Sequence, residues 1–280
     1  MALVTRRKPG PGKIVIGIIA VIVIIMLYYV LPKHQAETEA FEKLSQLPAP
    51  VVQSSQKAAD RFQLPWELLA ASFQVRLEHG LIDSYPEDAD IIKTAARLAG
   101  SKGIDRSEIV RKLGFSRQLA GEIAARAKIL QSRSFILSPV YGFPYKILLH
   151  YTDTWGADRE GGKRKHEGTD IFAVEGTPIY SVSEGKVEKL GWNRLGGERV
   201  GVRGKDGIYY YYAHMSRINP ALKVGLTVTA GSLLGYTGHS GDAISTPDHL
   251  HFGMQLPNGA WINPYNFLRY WEGSMDRSRA

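Results

Sequence analysis

The stretch HLHFGMQL, His249 to Leu256, decides the fold. Successive residues of a β-strand point to opposite faces, so His249 and His251 share one face while Leu250 turns into a core. One strand therefore contributes two imidazoles to a common pocket.

Working outward, TPIYSVSE (177–184), GKVEKLGW (185–192), RVGVRG (199–204) and GIYYYYAHM (207–215) are candidate strands, rich in β-branched and aromatic residues. Turns carrying glycine, at Glu184-Gly185 and Asp206-Gly207, separate them. Their short, regular spacing predicts an antiparallel all-β domain over residues 148–272. Pro139, Gly142 and Pro144 punctuate the residues before it, predicting a linker over 133–147.

Upstream, residues 36–132 follow a helical period, clearest in PWELLAASFQVRL (65–77) and RQLAGEIAARAKIL (117–130). Pro65 suits a helix N-terminus. Asp105 with Glu108 reads as a capping pair, Gly114 as a helix stop and Ser116 as the cap of the next helix. The resulting pair resembles a DNA-reading helix-turn-helix, but an extracytoplasmic position, argued next, favours a packing or docking module. The fold class is thus α+β and multidomain: an N-terminal transmembrane helix, a helical middle and a C-terminal antiparallel sheet.

Ile14 to Leu31 runs without a charge, roughly 27 Å as a helix, close to the thickness of a bilayer core. Signal peptides have shorter apolar cores and a small-residue cleavage site, which Tyr28, Tyr29 and Pro32 do not supply, so the expectation is an uncleaved single-pass anchor over 14–31. Arg6, Arg7, Lys8 and Lys13 place the basic tail 1–13 in the cytoplasm and the rest of the chain outside the cell membrane. Those four cations lie within the net charge of +8, so the charge points to a membrane flank rather than a nucleic-acid partner. With 280 residues, 44% hydrophobic, the chain can build one or two cores of its own. It has no cysteine, so a metal would be held by nitrogen and oxygen alone.

Five histidines fall between residues 166 and 251: His166, His214, His239, His249 and His251. His166 and Asp170, four residues apart, return to one face in helix or strand and can share a metal. Two histidines and an aspartate suit a catalytic zinc, which keeps its fourth position open for water.

His-Glu-Gly-Thr-Asp at 166–170, Tyr-Ala-His at 212–214 and His-Leu-His-Phe at 249–252 together resemble, in order, the signatures of the lysostaphin/LytM-type zinc peptidases. That resemblance implies a duplicated-hybrid-motif sheet domain holding one zinc ion on His166, Asp170 and His251, and it leaves His249 and His214 for proton transfer and oxyanion stabilisation. It also implies that Asn193 and Tyr212 contact substrate, with Trp192 as another wall candidate, and that the substrate is a peptide bond of bacterial peptidoglycan. The basic N-terminus, the single anchor and the segments YTDTWGADRE (151–160) and GWNRLGGERVGVR (191–203) are similar to membrane-anchored L-Ala-D-Glu peptidases of spore-forming bacteria, which implies a setting in sporulation. Gly241 to Pro247 is longer than the usual loop of the family, and Asp248 replaces a frequent proline.

Other readings are weaker. Gly238-His239-Ser240-Gly241-Asp242 fails the G-x-S-x-G elbow of serine hydrolases. Single-stranded nucleic acid binding by IYYYYAHM lacks a dominant basic stripe. A catalytically silent scaffold docking an envelope partner would be expected to have lost ligands that this sequence keeps.

Overall fold

The computed structural model describes Ile19, residues 22–101 and residues 103–275. The basic tail 1–13 and residues 14–18, 20 and 21 of the expected span lie outside the described residues. Among the described residues no helix is long and apolar enough to cross a membrane. A π-helix, Met26–Val30, runs into the α-helix Leu31–Ser45, and Ile22, Val23, Ile24, Ile25 and Leu27 are all exposed.

The helical middle consists of Ala49–Phe62, Trp66–Glu78, Asp88–Leu98, Arg106–Leu113 and Arg117–Arg133. Its boundaries follow the expected chemistry. The Asp105 carboxylate accepts the N–H groups of Ser107 and Glu108, and the Ser116 hydroxyl accepts that of Leu119. Gly114 ends the helix between them at φ 72°, a left-handed conformation that glycine adopts without a steric penalty. Along Asp88–Leu98, Ile91, Ala95 and Leu98 recur at helical spacing and are buried. Trp66–Glu78 packs between Ala49–Phe62 and Arg117–Arg133, and Arg126 grips both Glu78 oxygens at 2.9 Å.

The C-terminal part is antiparallel throughout. Its strands are β1 (Asp158–Arg159), β2 (Arg164–Lys165), β3 (Thr169–Phe172), β4 (Pro178–Tyr180), β5 (Gly185–Asn193), β6 (Gly197–Gly204), β7 (Tyr209–Met215), β8 (Arg217–Ile218), β9 (Thr227–Val228), β10 (Leu233–Tyr236), β11 (His249–Gln255) and β12 (Trp261–Ile262). The main sheet runs β12-β11-β7-β6-β5-β9, with β3 also pairing along β11; a small sheet, β4-β10-β8, and the β1-β2 hairpin complete it. Val200, Val202, Tyr210, Tyr212, Leu250, Phe252 and Met254 point from one face of the main sheet into the core. The opposite face is the site.

The residues expected as a linker are packed. Ile136, Leu137, Phe143 and Tyr145 are buried, and the Trp271 indole N–H donates to the Ile136 carbonyl at 2.9 Å. Trp271 lies on a C-terminal helix, Tyr265–Met275, which also packs on Ala49–Phe62. From Ala40 onward, helices and sheets form one compact unit.

Candidate metal centre and cleft

Three elements bring the ligand candidates together. His166 follows β2, Asp170 lies on β3, and His251 lies on β11 directly opposite Asp170 in the ladder. His166 Nε2 is 2.8 Å from His251 Nδ1 and 3.0 Å from Asp170 Oδ1, and His251 Nδ1 is 3.2 Å from the same oxygen. The Thr154 carbonyl accepts a hydrogen bond from His166 Nδ1 at 2.8 Å, which fixes the tautomer and turns the Nε2 lone pair inward. Lone pairs of two imidazoles and a carboxylate thus converge within 4.8 Å of one another, an arrangement a divalent cation satisfies.

The electrostatics agree. Burial alone would raise the Asp170 pKa, yet the His166 and His251 imidazoles beside it hold the carboxyl well below the usual carboxylate range. Burial pushes the His251 imidazole down, against the opposing pull of Asp170. The second Asp170 oxygen accepts Arg159 at 2.6 Å, which orients the carboxylate.

His249 and His214 stand beside this trio with ring centroids 4.9 Å apart. Each gives its Nδ1 to a backbone carbonyl at 2.8 Å, Pro247 for His249 and Ser240 for His214, which turns the Nε2 of each toward the cleft. Burial, reinforced by the neighbouring His251, pushes the His214 pKa down to about 4. His214 also has φ 65°, uncommon for a non-glycine residue. The β6-β7 register shifts there: Glu198 pairs with Met215 but Val200 with Tyr212, so β7 carries one extra residue. This bulge turns His214 into the cleft.

The same bulge corrects the expectation for Tyr212. It is wholly buried, and its hydroxyl accepts the Val182 N–H at 2.9 Å, so it belongs to the core. Tyr211 stands in the cleft instead, edge-on to His251 at 5.9 Å. Asn193 lines the cleft as expected, but its Oδ1 accepts the Gly196 N–H at 2.6 Å and so also shapes the 194–197 turn. Trp192 is exposed and does not line the cleft. His239 leaves the cluster and pairs with Asp248 at 2.6 Å. The long 241–247 loop contributes Asp242, Ala243, Thr246 and Pro247 to the rim, with Asp242 bound to Arg164.

The cleft measures about 780 Å³. Sequence reasoning missed Thr154, Arg159, Tyr211 and Asp242. Thr154 and Arg159 lie within YTDTWGADRE, so that segment was a usable signal.

An antiparallel sheet whose open face carries two histidines and an aspartate around one point, with two further imidazoles beside it, defines a metallopeptidase-type domain. Residues 164–264 match Peptidase family M23. The chain is 38% identical over 199 residues to the L-Ala--D-Glu endopeptidase of Bacillus subtilis, covering 66% of this chain and 61% of that protein. Lysostaphin of Staphylococcus simulans is 37% identical over 109 residues, 37% of this chain and 21% of that one. The solved lytM structure from Ruminococcus gnavus is 27% identical with a TM-score of 0.54, covering 82% of this chain and 91% of that one. The chain therefore spans less than two thirds of the length of the curated relatives named here.

Proposed function

We propose that the protein is a zinc endopeptidase that hydrolyses the L-Ala–D-Glu bond of peptidoglycan stem peptides. The observation that carries this reading is the convergence of His166, Asp170 and His251 beside two further imidazoles in an open cleft. The B. subtilis relative, whose 199-residue match is longer than the sheet domain, supports the choice of bond.

His166, Asp170 and His251 would hold one zinc ion. The chemistry zinc supplies when bound is Lewis acidity toward a carbonyl and toward water. His249, with its Nε2 free, takes the proton of the attacking water. His214, the second open Nε2 over the cleft, passes a proton to the leaving amine. Arg159 and Thr154 keep Asp170 and His166 oriented, and Tyr211 and Asn193 form the wall against the substrate backbone.

Residues 14–31 serve as a single-pass anchor, a reading supported by the unbroken apolar run and the exposed apolar side chains from Ile22 to Leu27. The cleft would then work outside the membrane, on wall within reach of it, and the resemblance to peptidases of spore formers suggests sporulation as the setting. Digestion of purified peptidoglycan by the full chain, with and without a chelator, followed by mass analysis of new amino termini, tests all of this chemistry. Chelator-sensitive release of D-Glu amino termini is expected; a folded, zinc-loaded protein that releases nothing would leave the docking scaffold as the better account.

A further inference from the structure

The cleft holds a cation that the proposed chemistry does not use. Arg159 is bound to Asp170, Arg164 to Asp242 and Lys165 to Asp158. Arg199, on β6, lines the same cleft, and its Nη1 is buried without a hydrogen-bond partner among the described residues. A buried guanidinium N–H left unpaired is costly, and in an open cleft a water, an ion or a ligand group completes its shell.

The position of Arg199 is informative. It lies in the β6-β7 bulge, between Glu198, which pairs with Met215, and Val200, which pairs with Tyr212. It therefore faces the Ala213-His214 stretch of β7, and Ala213 pairs with His251 on β11. Strands in a sheet are about 4.8 Å apart, so the Arg199 backbone is roughly 10 Å from that of His251 along one row. Ala213 offers only a methyl there, between the rings of Tyr211 and His214, and all three residues line the cleft. A long arginine side chain in that row reaches the residue next to a bond held at His251. Lys189, on the neighbouring strand β5 opposite Gly201, lines the cleft too and adds to the positive potential.

Resting on the endopeptidase reading, we infer that Arg199 is the specificity residue that binds a free carboxylate on the substrate residue contributing the leaving amine. In a stem peptide D-Glu is joined onward through its γ-carboxyl, so its α-carboxylate remains free on the carbon that bears the scissile nitrogen. A planar guanidinium matches a carboxylate in bidentate geometry. A glycine bridge offers no anion at that position, so Arg199 would favour acidic stem peptides over such bridges.

The test uses the full zinc-loaded chain and two synthetic stem peptides, one with the free D-Glu α-carboxylate and one with that group as its amide. Wild type should prefer the acid by about ten- to a hundredfold in kcat/KM, the range of a charge-assisted hydrogen bond. Arg199→Gln should lose that preference by slowing on the acid and holding its rate on the amide, and Arg199→Lys should restore part of it. Equal cleavage of the two peptides by wild type, which needs no variant to fold, would overturn the assignment of Arg199 alone, as would an undiminished preference in Arg199→Gln. Cleavage of neither peptide would overturn the endopeptidase reading and this inference with it.

Discussion

Gly168→Ala should disable the metal centre although every ligand residue is kept. A β-carbon at Gly168 would lie 2.6 Å from both His251 Cε1 and the Phe252 carbonyl oxygen, and 2.8 Å from His251 Nε2. That is about 0.8 Å short of ordinary contact at 3.4 Å, more than the roughly 0.5 Å within which a constellation must be held. The backbone oxygen sits in the ladder between β3 and β11, so relieving both clashes moves the His251 ring and opens the ladder beside it. Gly168 lies outside the left-handed backbone region, so the effect is steric and not conformational. Overpacking of this kind costs about 1–3 kcal/mol, and displacing a ligand is expected to weaken zinc by about 10- to 100-fold, as loss of its supporting shell does. Competition of the full-length variant against a chromophoric chelator, with thermal melts run alongside, measures both quantities. A folded Gly168→Ala protein that binds zinc as tightly as wild type would refute the reasoning.

Four further outcomes are expected. His251→Ala should lose stoichiometric zinc and hydrolysis together, read by metal analysis after dialysis; zinc retained by the folded variant would remove His251 from the ligand set. His249→Ala should keep its zinc and lose about 10²- to 10⁴-fold in turnover, and a near-normal rate would move the base to His214. Tyr212→Phe should cost about 1–3 kcal/mol by orphaning the buried Val182 N–H while leaving kcat/KM of the folded protein unchanged; a selective rise in KM would return Tyr212 to the substrate wall. Burial raises the pKa of Glu67, so its charge opposes folding. That cost is absent below the unfolded pKa near 4.5, where both states are protonated, and grows as pH rises through the folded value. Glu67→Gln should therefore raise Tm at pH 7 and do so less at pH 4; an equal gain at both would refute the burial argument.

The sequence by itself determined the parts whose chemistry is local. The alternation in HLHFGMQL needed only the two-residue period of a strand to place His249 and His251 on one face, with Leu250 in the core. The caps at Asp105 and Ser116 and the stop at Gly114 needed only the few neighbouring residues whose N–H groups they meet. His166 and Asp170, four residues apart, meet at 3.0 Å.

Only the tertiary structure decided the rest, because those relations depend on strand register and on chain segments far apart in sequence. Tyr212 and His214 are two residues apart, and alternation would put them on one face; the extra residue in β7 breaks that parity, sending Tyr212 inward and His214 to the cleft. A bulge is defined against the partner strand, so no reading of β7 alone contains it. Thr154 and Ser240 reach their histidines across 12 and 26 residues of sequence. Burial in the 133–147 segment likewise rests on Trp271, whose indole meets Ile136 across 135 residues of sequence.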